Sequence, residues 1–449
     1  MRPTNILRLS KALRVLLVFA VANAFLVCGQ LMAEDWPQWQ GPNRANKWVA
    51  ENIIDKFPED GPAVLWRSPV ANGYAGPAVV GNRLYVTDFV TEADVKVSNF
   101  DRNPAEGVER VMCVDATSGE MVWKHETPVK YAISYPSGPR TTPLVEGDRV
   151  YTLGAEGHLI CFARESGEVV WERELKEDYK TTSALWGYVS HPLIDGNRLI
   201  CTVGGEGSHT VAFDKQTGKE LWKYGTASEQ GYSPPSIITF ARTRQLILMS
   251  PDWIASVNPT NGEEYWTKPY QATSGSIIMT PVQYKDYLFV GGYSKNNLML
   301  RLSRERPGAE VVFQGQAKLA LSPVNVQPFV KGDFMYGIDQ DGWFRVVKMP
   351  SGERVFRTGQ PIAERAFGSG TAFFVEHEDR YFMFTQNGEL VIGTIAPEGI
   401  TVIDRAKVLE PTNNAFGRPV LWSAPAYANG KMYVRNDEEC ICVELTKQQ

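Results

Sequence analysis

Asp115-Ala116-Thr117-Ser118-Gly119-Glu120-Met121-Val122-Trp123 is a phrase that this chain uses repeatedly. Asp214-Lys215-Gln216-Thr217-Gly218-Lys219-Glu220-Leu221-Trp222 is a second copy, and Asn258-Pro259-Thr260-Asn261-Gly262-Glu263-Glu264-Tyr265-Trp266 a third. Ala163 to Trp171 carries Ser166-Gly167 at the same turn, and Met349-Pro350-Ser351-Gly352 leading to Phe356 is a worn fifth copy. Each reads the same way. A strand ends at the Asp or Asn, and polar residues with a glycine that accepts positive φ make a tight turn. The chain then reverses into a short strand whose Trp or Phe packs on a neighbour.

Two further signals surround the phrase. Gly81-Asn82-Arg83-Leu84-Tyr85, Gly147-Asp148-Arg149-Val150-Tyr151, Gly196-Asn197-Arg198-Leu199-Ile200, Gly332-Asp333-Phe334-Met335-Tyr336, Asp379-Arg380-Tyr381-Phe382 and Gly430-Lys431-Met432-Tyr433 are hairpin turns feeding a strand. Glu156-Gly157, Glu206-Gly207, Asp341-Gly342 and Asn387-Gly388 mark another turn. Four short antiparallel strands in a unit of about 45 residues describe one blade of a β-propeller, so the fold class is all-β. The outer-strand aromatics Trp66, Trp123, Trp171, Trp222, Trp266, Phe313 and Phe356, with a degenerate position near Val402, predict eight blades. Seven stays open, because residues 368–405 form the most degenerate unit. Trp66 stands without inner strands, and residues 427–445 supply three strands without an outer one. Val64-Leu65-Trp66 is therefore expected to pair with the C-terminal strands and close the ring, leaving no long exposed sheet edge.

The N-terminus reads as a secretory signal peptide over 1–33, with residues 34–449 as one propeller domain. Arg2, Arg8, Lys11 and Arg14 precede the apolar run 15–27, which is too short for a confident membrane span, and Leu31-Met32-Ala33 ends in a small residue. The expected location is periplasmic or secreted. Phe25-Leu26-Val27 lacks the small residue that lipoprotein cleavage at Cys28 would want. Without the leader's four basic residues, 42 of the 46 Lys and Arg remain against 51 Asp and Glu. No long basic stretch exists, which argues against nucleic acid as a partner. Of the five remaining cysteines, Cys113, Cys161 and Cys442 fall in one repeat slot that Ala212 and Ser256 fill elsewhere. A slot that takes Cys, Ala or Ser is a small buried site.

These phrases resemble the PQQ-like repeat family, found in quinoprotein dehydrogenases and in the BamB outer-membrane assembly scaffold; Thr-Gly-x-x-x-Trp looks like that family's tryptophan-docking motif. Asp35-Trp36-Pro37-Gln38-Trp39-Gln40-Gly41-Pro42-Asn43-Arg44, Tyr135-Pro136-Ser137-Gly138-Pro139-Arg140-Thr141-Thr142-Pro143 and Gly231-Tyr232-Ser233-Pro234 resemble secreted PQQ-like propellers of planctomycete-type bacteria. The resemblance implies the fold across nearly all of 34–449. It leaves function open among enzymes, scaffolds and binding proteins.

The inner strands start at Pro77, Pro143, Pro192, Pro234, Pro281, Pro328 and Pro425, at the mouth of the central channel. Repeat register gathers Arg140, Trp186, Tyr188, His191, Tyr232, Asn325 and Trp422 there, a ring suited to a planar or sugar-like ligand. No catalytic residue or metal ligand set is expected. Asp339-x-Asp341-Gly342 reads as a hairpin turn, since the distal Glu of a calcium loop is missing. The expectation is a monomeric binding or scaffolding module that meets a protein partner or a small sugar-like ligand at the mouth, with no resident cofactor. One alternative is a PQQ-dependent, polyvinyl-alcohol dehydrogenase-like quinoprotein, which would want calcium and a carboxylate base. The other is a carbohydrate-binding propeller. Residues 89–110 interrupt the first blade and are expected to form a long polar loop.

Overall fold

The computed structural model describes residues 35–97 and 100–447. The leader over 1–33, with Cys28, lies outside them. The described residues build eight four-stranded antiparallel sheets. Blade 1 runs from its inner strand Ala78–Val80 through Arg83–Val90 and Asn103–Asp115 to the outer strand Met121–Ile133. Blades 2 to 7 cover residues 144–174, 193–224, 236–269, 282–314, 329–358 and 372–407. Blade 8 takes Ala426–Ala428, Lys431–Arg435 and Glu439–Glu444 from the C-terminus and Val64–Pro69 from the N-terminal side, with Trp66 opposite Cys442. The ring therefore closes as expected, with eight blades.

The repeated phrase is a latch between neighbours. Asp115 caps its own turn by accepting the N–H groups of Thr117 and Ser118 at 2.9 and 3.0 Å. Gly119, at φ +78°, is thereby held over the ring of Trp66 from the preceding blade. A Cβ on Gly119 would sit 2.8 Å from that ring, so only glycine allows the approach. Gly167 covers Trp123, Gly218 covers Trp171 and Gly262 covers Trp222 in the same manner. The indole N–H then finds a carbonyl in the same turn: Trp66 to Ala116, Trp123 to Arg164 and Trp171 to Lys215, each at 3.0 Å. Trp222 lacks this bond, and Trp266 turns to Gln245 Oε1 of its own blade at 3.1 Å.

Each sheet carries a bulge between its third and fourth strands, which fixes the register of the outer residue. Cys113, Cys161, Ala212, Ser256 and Cys442 lie opposite Trp123, Trp171, Trp222, Trp266 and Trp66. Where the outer residue is Phe313 or Phe356 the slot holds Met299 or Val346. Slot and ring trade volume, as close packing requires. The five thiols are free and buried, and burial pushes those of Cys113, Cys161, Cys440 and Cys442 up to about 12. In blade 7 the register puts Asp404, two residues beyond Val402, opposite the slot residue Ile392. The eighth outer position is a carboxylate that accepts the Phe57 N–H at 2.9 Å.

A buried polar network pins the seam. Arg435 is 0% exposed and donates to the carbonyls of Thr87 (2.7 Å), Asn436 (2.9 Å) and Ala71. Asp88 accepts two bonds from Arg110, at 2.8 and 2.5 Å, and one from Ala71 N–H at 2.6 Å. The insertion in blade 1 differs from expectation. Residues 103–110 belong to a strand that pairs with the outer strand as far as Asn103 opposite Ile133. Among the described residues, 91–97 and 100–102 lie between strands, and Phe89, Val95, Ala105, Tyr131 and Ile133 form a small core for the long hairpin with Ala155 of blade 2. Asp339-x-Asp341-Gly342 is a hairpin turn, its carboxylates held by Arg345 at 2.7 and 2.5 Å.

Candidate ligand site at the channel mouth

The channel has a floor that the repeats do not provide. Residues 35–54 start at the hairpin-turn face, where Asp35 accepts the Gly81 N–H at 2.7 Å, and run up beside the inner strand of blade 1 through Trp36 and Val79. They cross the channel and leave along blade 7, with Trp48 N–H on Glu376 O at 2.8 Å. Five of these residues, Gln40, Gly41, Arg44, Asn46 and Asn52, hold φ between +50° and +80°, and the first four bend the segment into the narrow bore. Arg44 points inward and donates to the carbonyls of Pro192 and, at 3.3 Å, Pro235, the residues from which two inner strands begin. Burial pulls its guanidinium down to about 10. Trp39 lies flat on His191, with ring centroids 4.6 Å apart and 9° between planes.

Above this floor lies a cavity of about 810 Å³. Its volume falls within the range of about 300–1,000 Å³ usual for small-molecule sites. Its upper wall is aromatic. Tyr74, Tyr135 and Trp422 contact one another at 5.9–6.5 Å, and Trp186 meets Tyr232 at 4.9 Å. Two tips reach over the opening. Phe100, on the blade 1 insertion, and Phe416, at the turn of a hairpin formed by Asn413–Ala415 and Arg418–Val420, approach to 6.0 Å. They are 66% and 48% exposed and together place an apolar pair at the opening. The indole N–H groups of Trp186 and Trp422 are buried and have no hydrogen-bond partner among the described residues. A buried donor left without a partner costs about 1–3 kcal/mol.

Six of the seven residues singled out from sequence line this cavity: Arg140, Trp186, His191, Tyr232, Asn325 and Trp422. Tyr188 does not. The turn at Gly187 (φ +73°) carries its ring into the core under Gly157, and its hydroxyl donates to Val203 O at 3.0 Å. Arg140 is committed to its own loop, donating to the carbonyls of Gly138 and, at 2.9 Å, Ser134, with Tyr74 beneath it at 5.2 Å. His191 accepts the Thr142 N–H on Nδ1 at 3.1 Å, and burial, with Arg44 nearby, lowers its pKa well below the usual range. It is a neutral imidazole with its proton on Nε2. Sequence reasoning did not find Arg44, Trp39, Phe100, Phe416 or Arg418. Arg418 donates to Gly368 O at 2.7 Å and lies over the rings of Phe367 and Phe416.

The wall does not fit PQQ chemistry. The cofactor brings three carboxylates, and its use in alcohol oxidation wants calcium on hard oxygen ligands and a carboxylate base. Among the described residues the lining has no Asp or Glu, so neither calcium ligand nor base is supplied by an acidic side chain.

A family model described as "Outer membrane protein assembly factor BamB" matches residues 107–358, over half the chain. Quinohemoprotein alcohol dehydrogenase ADH IIB of Pseudomonas putida is 24% identical over 195 residues, 40% of this chain and 25% of that protein. Outer membrane protein assembly factor BamB of Shewanella oneidensis is 24% identical over 254 residues, 54% of this chain and 59% of that protein. The chain thus spans less than two thirds of either relative. Among solved structures, BamB from Moraxella catarrhalis superposes with a TM-score of 0.51 at 14% identity, covering 86% of this chain and 99% of that one. Quinohemoprotein alcohol dehydrogenase from Comamonas testosteroni gives 0.57 at 13%, covering 95% and 83%. At these identities the structural likeness is one of fold.

Proposed function

The chain belongs to the PQQ-like repeat propellers of the outer membrane protein assembly factor BamB family, and from that premise we propose that it is an exported binding module whose guest sits at the channel mouth. One observation carries the reading: a floored cavity of about 810 Å³ with aromatic walls and two indole donors that no described residue satisfies. Rigid blades hold these side chains in place, so little ordering entropy is spent on binding. The absence of acidic side chains from the wall argues against the quinoprotein alternative, and addition of PQQ with calcium is expected to give no dye reduction with alcohols.

A scaffolding role is the second reading, favoured by the family match and by the exposed tips Phe100 and Phe416, which suit a protein partner that covers the opening. A photo-crosslinking phenylalanine analogue at position 416, compared with the same analogue at Val170 on the outer rim, tests both in the producing cell. Adducts at 416 and none at 170 support a mouth-binding module; a protein adduct favours the scaffold and a glycan adduct the small-ligand reading. Equal labelling at both positions, or none at 416, contradicts the proposal.

A further inference from the structure

The charge on the cavity wall narrows the class of guest, on the footing that the mouth is a binding site. Arg140 and Arg418 line the cavity, and Arg44 lies buried in the floor beneath it. Several arginines elsewhere are paired closely with acids: Arg110 with Asp88 at 2.5 Å, Arg345 with Asp339 at 2.7 Å, Arg380 with Asp55. None of these three arginines has a carboxylate within ion-pair distance among the described residues. Their hydrogen bonds run to uncharged acceptors: the carbonyls of Pro192 and Pro235 and, at 2.9 Å, the Gln38 amide oxygen for Arg44, the carbonyls of Ser134, Tyr135 and Gly138 for Arg140, and that of Gly368 for Arg418. A carbonyl satisfies an N–H but does not cancel a charge. Arg140 has its charge offset from a distance by Glu109, which is hydrogen-bonded to the Tyr131 hydroxyl at 2.5 Å and Ala155 N–H at 2.9 Å, and by Glu156, which also pairs with Lys176 at 2.5 Å. In a chain of net charge −5, Arg418 is therefore the wall cation left without a nearby acid among the described residues.

The unsatisfied groups agree in sign. Trp186 Nε1, Trp422 Nε1 and Arg418 Nε are all donors, so a guest that satisfies them must bring acceptors. The rings around them fit a curved surface. Tyr74, Tyr135, Phe416 and Trp422 meet at 38–77°, and no two of them lie parallel to sandwich a flat aromatic. Tilted rings take the puckered apolar face of a pyranose. We infer that the guest is an acidic oligosaccharide, with a carboxylate or sulfate beside Arg418 and its sugar faces against Tyr135, Trp186 and Trp422.

Calorimetric titration of the purified chain with two matched pairs tests this. One pair is a galacturonate oligomer and its methyl ester; the other is a sulfated galactan oligomer and its desulfated form. The acidic member of at least one pair should bind about tenfold or more tighter than its neutral partner, and which pair responds separates carboxylate from sulfate. Arg418→Gln should lose most of that preference, while Arg67→Gln, on the outer strand of blade 8, should keep it. Equal binding of neutral and acidic members overturns the inference and leaves the mouth-binding proposal standing. No binding of any of the four also overturns it, and the crosslinking result then decides the broader reading separately.

Discussion

The rim and the hub of this ring use the same scaffold in opposite ways. At the rim, one solution recurs from blade to blade: a tryptophan, a glycine laid over it and a small slot residue behind it. Trp66, Trp123 and Trp171 there each give their N–H to a neighbour's carbonyl. At the hub, positions related by the repeat hold different residues, and the indoles of Trp186 and Trp422 keep their N–H groups unspent. The rim at Trp66, Trp123 and Trp171 resembles a finished structural joint, with volume and hydrogen bonds closed, while Trp222 keeps the packing but not the bond. The hub carries an energetic deficit that a guest would remove. Rim substitutions should therefore cost stability, and hub substitutions should cost binding.

The contrast can be broken most forcefully at the rim. Trp171→Ala removes a ring that fills the space between Cys161 and Gly218 and should lower stability by about 3–5 kcal/mol, read as the urea midpoint. Gly167→Ala places a Cβ about 2.5 Å from the Trp123 ring at φ +72°, and should cost about 2 kcal/mol or more by the same measurement. Cys161→Met should cost about 1–3 kcal/mol by overpacking against Trp171. Combining it with Trp171→Phe should cost less than the sum of the two single changes, because Met opposite Phe is the arrangement blade 5 already uses.

A graded effect should come from pH. The rim thiols, pushed up to about 12, stay neutral in acid. On the mouth side of blade 3, buried His209 donates from Nε2 to Gln230 O at 2.9 Å, and burial pulls it from 6.5 to about 4. The unfolded chain binds this proton at a higher pH than the folded one. The neutral imidazole's contribution is therefore intact above pH 6.5 and declines as pH falls toward 4. Near pH 5.5 the loss is about 1 kcal/mol. His209→Gln should show a flatter decline in stability over this window; an unchanged pH profile would mean that another group dominates.

The rim was legible in the sequence because its parts are local. A nine-residue phrase contains the cap, the glycine and the tryptophan, so counting phrases counts blades. Where the phrase wears away, counting from the turn fails: the bulge sets the register, and it puts Asp404 rather than Val402 at the outer position. Six hub residues were legible because prolines mark where each inner strand starts. Tyr188 was misplaced because one left-handed glycine beside it reverses the direction of its side chain. Arg44 and Trp39 were invisible as site residues because residues 35–54 form no repeat, and only tertiary folding carries them into the channel. The hairpin bearing Phe416 and Arg418 is likewise an addition between blades 7 and 8 that no periodicity announces.

One pair of identical changes tests the division of labour without any guest at hand. Trp123→Phe and Trp422→Phe each keep an aromatic ring and delete an indole N–H, the first bonded to Arg164 O at 3.0 Å and the second without a partner among the described residues. In equilibrium urea unfolding, Trp123→Phe should lose about 1–2 kcal/mol, whereas Trp422→Phe should be unchanged or slightly more stable. Equal destabilisation by both would contradict the account, because the Trp422 donor would then already be spent within the fold and not held for a ligand.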